Sequence, residues 1–269
     1  MDIIKQIETY GIIPVVSIKR AEDAVPLAKA LIAGGLPAIE VTFRTAAAAD
    51  AIRAICAECP EVLVGAGTVL TTEQADAAIA AGAKFLVSPG LNPNVVRHAI
   101  ARGVPMVPGC SSPSDFEAAL ELGLTHVKFF PAETLGGVKA IKAMAAPYGG
   151  LRVMATGGIE LGNMAGYLAT PTLFAVGGSF IAPTADISAG KFDQITANAK
   201  AAVAAMLGVE YAGVEDGCVV MKATSVSRAY DYLRGVGVAF GDVVTEGGKV
   251  VSAELADKLG GKPVKLVNK

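Results

Sequence analysis

Histidine is scarce in this chain, and the scarcity limits the chemistry that the protein can perform. Among 269 residues only His98 and His126 are histidines, and they lie far apart in the sequence. A metal-dependent lyase or hydrolase uses three or four nitrogen, oxygen or sulfur ligands, often histidines. The sequence therefore favours chemistry that needs no metal ion.

Cysteine is also infrequent, with residues at positions 56, 59, 110 and 218. Cys56 and Cys59 have the C-x-x-C spacing that is used in zinc and redox sites. However, they lie in a helical stretch rich in alanine and isoleucine, and no second pair accompanies them. We interpret them as two free thiols of a helix.

The fraction of charged residues is low, and the two signs are nearly balanced. Only 18% of the residues are charged, with 23 Lys and Arg against 25 Asp and Glu, and no run of five like charges occurs. This excludes a basic nucleic-acid surface and a polybasic membrane patch as the main function. The 52% of apolar residues and the 31 glycines are typical of helices packed on buried strands, and they exclude a disordered chain.

Signals for secretion or membrane insertion are weak. The first residues lack a basic segment followed by an apolar one, so we expect a cytoplasmic protein. The longest uncharged stretch, Leu161–Ala185, is long enough to span a bilayer, but Asn163, Pro171, Pro183 and several glycines interrupt it. We predict a helix, a turn, a buried strand and a loop there.

Short β-rich apolar runs alternate with alanine-rich segments of helical spacing. The predicted strands are Ile13–Val16, Ala38–Thr42, Val62–Gly65, Phe85–Ser88, Pro105–Val107, Thr125–Phe129, Arg152–Ala155 and Leu173–Val176. The predicted helices between them include Ala21–Ala33, Ala46–Ala57, Gln74–Ala80 and Pro93–Arg102. Eight strand–helix units predict an α/β fold, a (β/α)8 TIM barrel over residues 1–208, rather than a doubly wound sheet with a Gly-rich first turn.

Residues 213–269 differ in composition, with less alanine and more valine, glycine and charge. We predict a small α+β C-terminal extension of unknown role. Its expected elements are a strand at Cys218–Met221, a helix at Ser225–Arg234, and strands near Val236–Phe240, Lys249–Ala253 and Val264–Val267. Such a short segment can bury only a small core of its own, so we expect it to dock on the barrel or to pair between subunits.

Lys128 is the candidate nucleophile. It lies at the carboxyl end of an apolar predicted strand, where barrel enzymes carry their reactive groups. An amine attacks a ketone only in its uncharged form, which burial favours, so Lys128 is a candidate for Schiff-base formation. A snorkelling or salt-bridged lysine is the alternative.

The second predicted strand carries an acid and a base with a spacing of two. Glu40, Thr42 and Arg44 share one side of the strand, and Ile39, Val41 and Phe43 share the other. Glu40 could transfer protons while Arg44 binds a substrate carboxylate bidentately. A buried salt bridge between the two is the alternative.

Glycine pairs follow the seventh and eighth predicted strands. Gly157-Gly158 and Gly177-Gly178-Ser179 would let backbone amides approach an anion closely, as in barrel phosphate sites. A glycine pair alone can also be a tight turn. Two pairs at these two loops favour a phosphate site.

The chain resembles the 2-keto-3-deoxy-6-phosphogluconate (KDPG) and 4-hydroxy-2-oxoglutarate aldolases from residue 1 to about residue 207. The motifs that carry the resemblance are Glu40-Val41-Thr42-Phe43-Arg44-Thr45, Val64-Gly65-Ala66-Gly67-Thr68-Val69, Ser88-Pro89-Gly90, Lys128-Phe129-Phe130-Pro131-Ala132-Glu133, Thr156-Gly157-Gly158-Ile159 and Gly177-Gly178-Ser179. They occur in the order and at the spacing of that family.

The resemblance implies a class I aldolase that cleaves KDPG reversibly to pyruvate and glyceraldehyde 3-phosphate. It implies that Lys128 forms the imine, that Glu40 is the acid/base, and that Arg44 and Thr68 bind the pyruvate carboxylate. It also implies a homotrimer without metal or other cofactor, and small-molecule substrates rather than nucleic acid or membrane. The full set of implied substrate-binding residues is Arg44, Thr68, Pro89, Phe130, Thr156, Gly157, Gly158, Gly177, Gly178 and Ser179.

Three alternatives stay open at this point. The substrate could be the galactonate epimer or unphosphorylated 4-hydroxy-2-oxoglutarate. The barrel could instead perform isomerase or synthase chemistry, as in thiamine-phosphate or tryptophan biosynthesis, or serve as a non-catalytic keto-acid or phosphate sensor. The extension resembles half of a glyoxalase-like module only faintly, and it has no His and Glu pair that would bind a metal.

Overall fold

The computed structural model describes residues 2–269, which form two compact units. The first unit ends at Ala202 and the second begins at Val203, so the boundary lies within one long helix. Within residues 2–269, no helix combines the length and the apolar character that crossing a bilayer requires.

The first unit is built on a parallel sheet. Neighbouring strands follow the order β5-β4-β3-β2-β1-β9-β8-β7-β6, and every pairing in it is parallel. The strands are β1 (Ile12–Val16), β2 (Ala38–Thr42), β3 (Leu63–Gly67), β4 (Phe85–Val87), β5 (Met106–Val107), β6 (Gly109–Cys110), β7 (His126–Phe129), β8 (Arg152–Thr156) and β9 (Leu173–Gly178).

The sheet closes at Pro108. Strands β5 and β6 lie at opposite ends of the strand order, yet only this proline separates them in the chain. Proline has no backbone N–H, which makes it a natural interruption of a strand. Its carbonyl still accepts a hydrogen bond from the Lys128 N–H at 2.9 Å. The two short strands therefore act as one, and the predicted eight-stranded barrel is confirmed.

Helix α1 (Ile3–Tyr10) precedes the first barrel strand, and the other helices follow the strands, as expected for βαβ units. They are α2 (Ala24–Ala33), α3 (Ala48–Glu58), α4 (Thr72–Ala81), α5 (Pro93–Ala101), α6 (Pro113–Glu121), α7 (Gly137–Ala145), α8 (Met164–Leu168), α9 (Thr184–Ser188) and α10 (Phe192–Leu207). A 3-10 turn, Ala21–Asp23, precedes α2. In Leu161–Ala185 the chain forms α8 and the buried strand β9, as predicted for that stretch.

Capping residues explain where two of these helices begin. Ser112 and Asp115 form a capping box at α6, with Pro113 in the first helical turn. Thr71 caps α4 by accepting a hydrogen bond from the Gln74 N–H. The Gln74 side chain, however, accepts from the Leu70 N–H instead of the Thr71 N–H that a capping box would use.

Helix α1 closes the amino-terminal end of the barrel. Its Ile7 and Tyr10 belong to the core cluster that includes Ala38 and Leu63, the first residues of β2 and β3. The cluster also contains Phe174 from β9, which is fully buried. The apolar packing of α1 covers this part of the barrel, whereas barrel enzymes carry their sites at the other end, where the strands reach their carboxyl termini.

The second unit is a five-stranded mixed sheet with one helix, and the order of its strands is β10-β11-β14-β13-β12. Its elements are β10 (Glu210–Glu215), β11 (Cys218–Ala223), α11 (Val226–Gly235), β12 (Phe240–Glu246), β13 (Lys249–Leu259) and β14 (Lys262–Asn268). The predicted α+β character of the extension is confirmed.

One predicted strand of the extension is wrong. We expected a strand at Val236–Phe240, but α11 continues to Gly235 and Val236 caps it. Gly237, with φ +94°, then turns the chain, so β12 begins only at Phe240. Glycine alone adopts such a backbone freely, and it therefore ends the helix where the valines had indicated a strand.

Candidate active site

A cavity of about 190 Å³ opens at the carboxyl ends of the barrel strands. It brings together most of the residues that the sequence motifs single out, although they come from four different strands or the loops after them. Its lining consists of Val15, Arg44, Lys128, Phe130, Thr156, Gly157, Gly158, Ile159, Gly177, Gly178 and Ser179.

Lys128 is the buried amine of this cavity. It is the third residue of β7 and is only 6% exposed. Its Nζ lies 5.0 Å from the centre of the Phe130 ring. The amine therefore faces a confined space walled partly by an aromatic ring, which is the setting that a nucleophilic lysine requires.

Glu40 lies on β2, is 1% exposed and is not among the residues that line the cavity. Its Oε2 has no hydrogen-bond partner among the described residues. Burial raises the pKa of this carboxyl, while the positive charges of Lys128 and Arg44 act in the opposite direction. A carboxylate with a raised pKa keeps its proton to a higher pH than an exposed one, which favours proton exchange with a nearby group.

Gly67, the last residue of β3, provides the space for this carboxylate. A Cβ atom at position 67 would lie 1.9 Å from Oε1 of Glu40. Any other residue there would displace the carboxylate. This glycine of the Val64–Val69 motif is thus needed to accommodate the acid.

Arg44 lies two residues beyond β2 and lines the cavity. Its Nε donates a hydrogen bond to Oγ1 of Thr42 at 3.1 Å. A guanidinium group at a cavity wall is suited to binding a carboxylate through two parallel hydrogen bonds.

The loop after β8 carries the first glycine pair. Gly157 and Gly158 have φ values of +93° and +79°, which other residues rarely adopt. A Cβ on Gly158 would lie 2.6 Å from Cβ of Glu133, whose carboxylate accepts a short hydrogen bond from the Tyr167 hydroxyl. The loop is thus pressed against the chain that follows β7.

The second glycine pair ends β9 instead of following it. Gly177 and Gly178 are the last two residues of that strand, and Ser179 comes next. A Cβ on Gly177 would lie 2.8 Å from Cγ2 of Thr156. Thr156 is 3% exposed, and its hydroxyl has no partner among residues 2–269, so it is free to bond a molecule in the cavity.

Two expected binding residues lie outside the cavity lining. Thr68 follows β3 with φ +56°, an uncommon backbone for threonine and a type of strain often found at functional sites. Pro89 follows β4, and its carbonyl oxygen would be 2.0 Å from a Cβ on Gly109. The structure places Pro89 against the barrel seam formed by β6.

Val15 and Ile159 line the cavity without having been predicted. Both are apolar, and an apolar residue beside a site has the same sequence signature as one in the core. Val15 belongs to β1, whose place beside β9 could be inferred only from closure of the barrel.

Cys56, Cys59, Cys110 and Cys218 are free thiols. Burial raises the pKa of the Cys56 thiol, which works against a role as a thiolate. In the part of the chain that the structure describes, no group of three or more His, Cys, Asp or Glu residues is arranged to hold a metal ion.

Comparison with known proteins gives a consistent result. Residues 3–198 match the family model described as KDPG and KHG aldolase. The chain is 55% identical over 195 residues to the 2-dehydro-3-deoxy-phosphogluconate aldolase of Treponema pallidum, covering 72% of this chain and 93% of that protein.

Two solved structures show the same barrel. The KDPG aldolase of Legionella pneumophila, captured with pyruvate as a covalent carbinolamine, is 37% identical with a TM-score of 0.72, covering 75% of this chain and 98% of that one. The Zymomonas mobilis aldolase with 3-phosphoglycerate is 42% identical with a TM-score of 0.69, covering 75% and 94%.

Proposed function

The chain belongs to the KDPG and KHG aldolase family, and on that premise we propose that it cleaves 2-keto-3-deoxy-6-phosphogluconate reversibly to pyruvate and glyceraldehyde 3-phosphate. It is a carbon–carbon lyase of the class I, Schiff-base type. The observation that carries the proposal is the buried Lys128 amine in a cavity shared with the Arg44 guanidinium.

Lys128 is the proposed nucleophile. Its uncharged amine attacks the C2 ketone to give a carbinolamine, which loses water and becomes a protonated imine. The cationic nitrogen then accepts the electron pair when the C3–C4 bond breaks. Cleavage releases glyceraldehyde 3-phosphate and leaves an enamine of pyruvate on the lysine.

Glu40 is the proposed acid/base. As the ionised carboxylate it takes the proton of the C4 hydroxyl, through a water, and it later returns a proton to C3 of the enamine. Hydrolysis of the resulting imine then frees pyruvate and Lys128. The raised pKa of Glu40 supports this role, because both protonation states are then accessible nearer to neutral pH.

Arg44 and Thr68 are proposed to bind the carboxylate of the keto acid, with Pro89, Phe130 and Thr156 beside it. The distal phosphate would lie at Gly157, Gly158, Gly177, Gly178 and Ser179, whose backbone amides can approach an anion closely. Support for the phosphate end comes from the relative that carries 3-phosphoglycerate.

Reductive trapping tests the proposal. Borohydride with pyruvate should fix a three-carbon adduct on the peptide that contains Lys128, and mass spectrometry should locate it there. Lys128→Ala should give no adduct. Trapping on another lysine, or normal cleavage by the Lys128→Ala protein, would refute the assignment.

A second candidate substrate is 4-hydroxy-2-oxoglutarate, which the family name also includes. The galactonate epimer of KDPG is a third, because it differs in the orientation of one hydroxyl. Cleavage rates with KDPG, its epimer and the unphosphorylated acid separate the three. We expect KDPG to have the highest kcat/KM.

We also propose that the enzyme is a homotrimer in the cytoplasm, as the family resemblance implies. Leu135 and Leu161 are 39% and 44% exposed, and a subunit contact would cover such surface. The free thiols suit a reducing compartment. Light scattering tests the trimer, and cell fractionation tests the cytoplasmic location.

We further propose that residues 1–208 are the aldolase domain and that residues 213–269 are a separate extension.

A further inference from the structure

Thr42 makes a set of contacts that the proposed mechanism does not use. It is the last residue of β2 and is 1% exposed. Its Oγ1 donates a hydrogen bond to the Val16 carbonyl at 2.8 Å, lies 2.9 Å from Oγ of Ser17, and accepts from Nε of Arg44 at 3.1 Å.

The chemistry of a hydroxyl fixes the direction of each bond. A hydroxyl has one proton and two lone pairs, and a carbonyl oxygen can only accept. Because the Thr42 proton goes to the Val16 carbonyl, Ser17 must donate its own proton to Thr42. Both lone pairs of Oγ1 are then occupied, one by Ser17 and one by Arg44, and its hydrogen-bonding capacity is fully used.

The bond to Thr42 also determines which side of Arg44 faces the cavity. A guanidinium has five N–H donors, of which one is on Nε and four are on the two terminal nitrogens. Since the Nε–H is bonded to Thr42, the four terminal N–H groups remain for a ligand. Arg44 lines the cavity, so it would meet a carboxylate end-on, through Nη1 and Nη2.

We propose that Thr42 is a positioning residue that holds the terminal amino groups of Arg44 toward the carboxylate of the keto-acid substrate. The inference rests on the proposed function, because it takes Arg44 to be the carboxylate ligand. Thr42 contacts Arg44 and the chain around β1, and it acts on the substrate only through the arginine.

A purely structural role is the competing explanation, because Thr42 also ties β2 to the end of β1. Thr45 offers a matched control. Its hydroxyl donates to the Ile18 carbonyl at 2.5 Å and so connects the same two segments, while the Arg44 Nε is bonded to Thr42 instead. If the hydrogen bonds between the two segments matter, the Thr42 and Thr45 variants should change KM alike. If the orientation of Arg44 matters, only the Thr42 variants should change KM.

The test compares Thr42→Val, Thr42→Cys, Thr42→Ser and Thr45→Val in the full-length protein. With KDPG, Thr42→Val should raise KM about tenfold, the effect of losing a hydrogen bond to a charged group, and leave kcat within about twofold. The pyruvate concentration for half-maximal borohydride trapping should rise by the same factor. Thr42→Ser, which keeps the oxygen, should restore both values, and Thr45→Val should leave KM near that of the wild type.

Thr42→Cys keeps the proposal testable if the valine variant does not fold. It differs from the serine variant only in sulfur for oxygen, and sulfur is a weak acceptor. A KM raised in Thr42→Cys but not in Thr42→Ser supports the inference. An unchanged KM in the Thr42→Val and Thr42→Cys variants, or an equal rise in Thr45→Val, overturns it.

The behaviour of the wild-type protein distinguishes failure of this inference from failure of the proposed function. If the wild type traps pyruvate and cleaves KDPG while the Thr42 variants keep their KM, only the role of Thr42 is wrong. If the wild type does neither, the proposed function is wrong and the role of Thr42 falls with it.

Discussion

The two units of this chain use charged residues in opposite ways. In the barrel, every residue of β2 and β3 is buried, including Glu40, whose Oε2 has no partner among the described residues. In the second unit, β10 and β12 are exposed at nearly every position, and Lys269 pairs with Glu210 at the surface. The burial of Glu40 changes the chemistry of its carboxyl group.

The reason is the environment around each charge. Solvent screens the Lys269–Glu210 pair, in which the side chains are 39% and 71% exposed, so it adds little to stability. Burial instead penalises the ionised form of Glu40 and raises its pKa. Parallel sheets are covered on both faces, and this is what makes the barrel able to hold such a group.

The largest expected difference between the two units is in how much the rate of KDPG cleavage falls when a lysine is replaced. Lys128→Met should lower the rate of KDPG cleavage by at least about 10³-fold, because no other group replaces the electron-accepting imine. Lys265→Met, at an exposed position of β14, should leave the rate near that of the wild type. Steady-state assays of the two variants measure the cleavage rates. A comparable loss of rate in both would show that the buried lysine of the barrel has no special role.

The next effect concerns proton transfer. Glu40→Gln should still form the pyruvate imine, and borohydride should still trap it. Exchange of the pyruvate methyl protons with deuterium should fall by about 10²-fold or more, the usual contribution of a positioned acid/base. NMR of pyruvate in D₂O measures the exchange rate. Unchanged exchange would remove Glu40 from the mechanism, and Glu210→Gln serves as the surface control.

The same contrast in burial explains how well each unit could be predicted from sequence. The barrel strands are continuous apolar runs, and the predicted starts lie within one residue of the observed ones. β10 was missed, because Glu210–Glu215 is exposed on both sides and interrupted at Gly213, where its register shifts. A strand with no buried face has no periodicity to detect.

The candidate site shows a similar limit. Lys128 and Arg44 could be singled out because a charged residue at the end of an apolar strand is conspicuous. Thr42 was placed on the side of Glu40 and Arg44 from the strand period, but its hydrogen bonds depend on β1, which is 26 positions away in the chain. Such contacts follow from the parallel pairing of β1 with β2 and from its register, which single-sequence patterns do not contain.

Glycine allows a smaller and more direct comparison of the units. Gly158 and Gly217 have φ values of +79° and +80°, so alanine strains the backbone equally at both. Only at Gly158 would the new Cβ meet a neighbour, at 2.6 Å from Glu133; nothing lies within 4 Å at Gly217. We expect Gly158→Ala to raise KM for KDPG about tenfold, and both variants to lose about 1 kcal/mol of stability from the backbone.

Kinetics with KDPG and trapping with pyruvate separate these effects. Since Gly158 is proposed to contact the phosphate, its alanine variant should bind pyruvate, which has no phosphate, nearly as the wild type does. Gly217→Ala should match the wild type with both compounds. An equal rise in KM for the two variants would mean that the backbone strain, and not the site, is being measured.

The smallest expected effect is a change in stability with pH, and it compares Glu40 with Glu8. Burial raises the folded pKa of Glu40, so its favourable contribution is complete while the carboxyl is protonated and is lost as pH rises through that pKa. Glu40→Gln has no such loss, so its Tm relative to that of the wild type should rise as the pH increases above about 4.3, the ordinary pKa of glutamate.

Glu8 should behave in the opposite way. Burial acts to raise its pKa, but the hydrogen bond from Lys5 and the charge of Arg152, 2.6 Å away, lower it overall. Its contribution is present above the unfolded pKa and is lost as pH falls, so Glu8→Gln should be least stable relative to the wild type at neutral pH. Thermal unfolding of both variants across the range measures the two signs. If the two signs were the same, the difference in burial and pairing would not distinguish the Glu40 carboxyl from the Glu8 carboxyl.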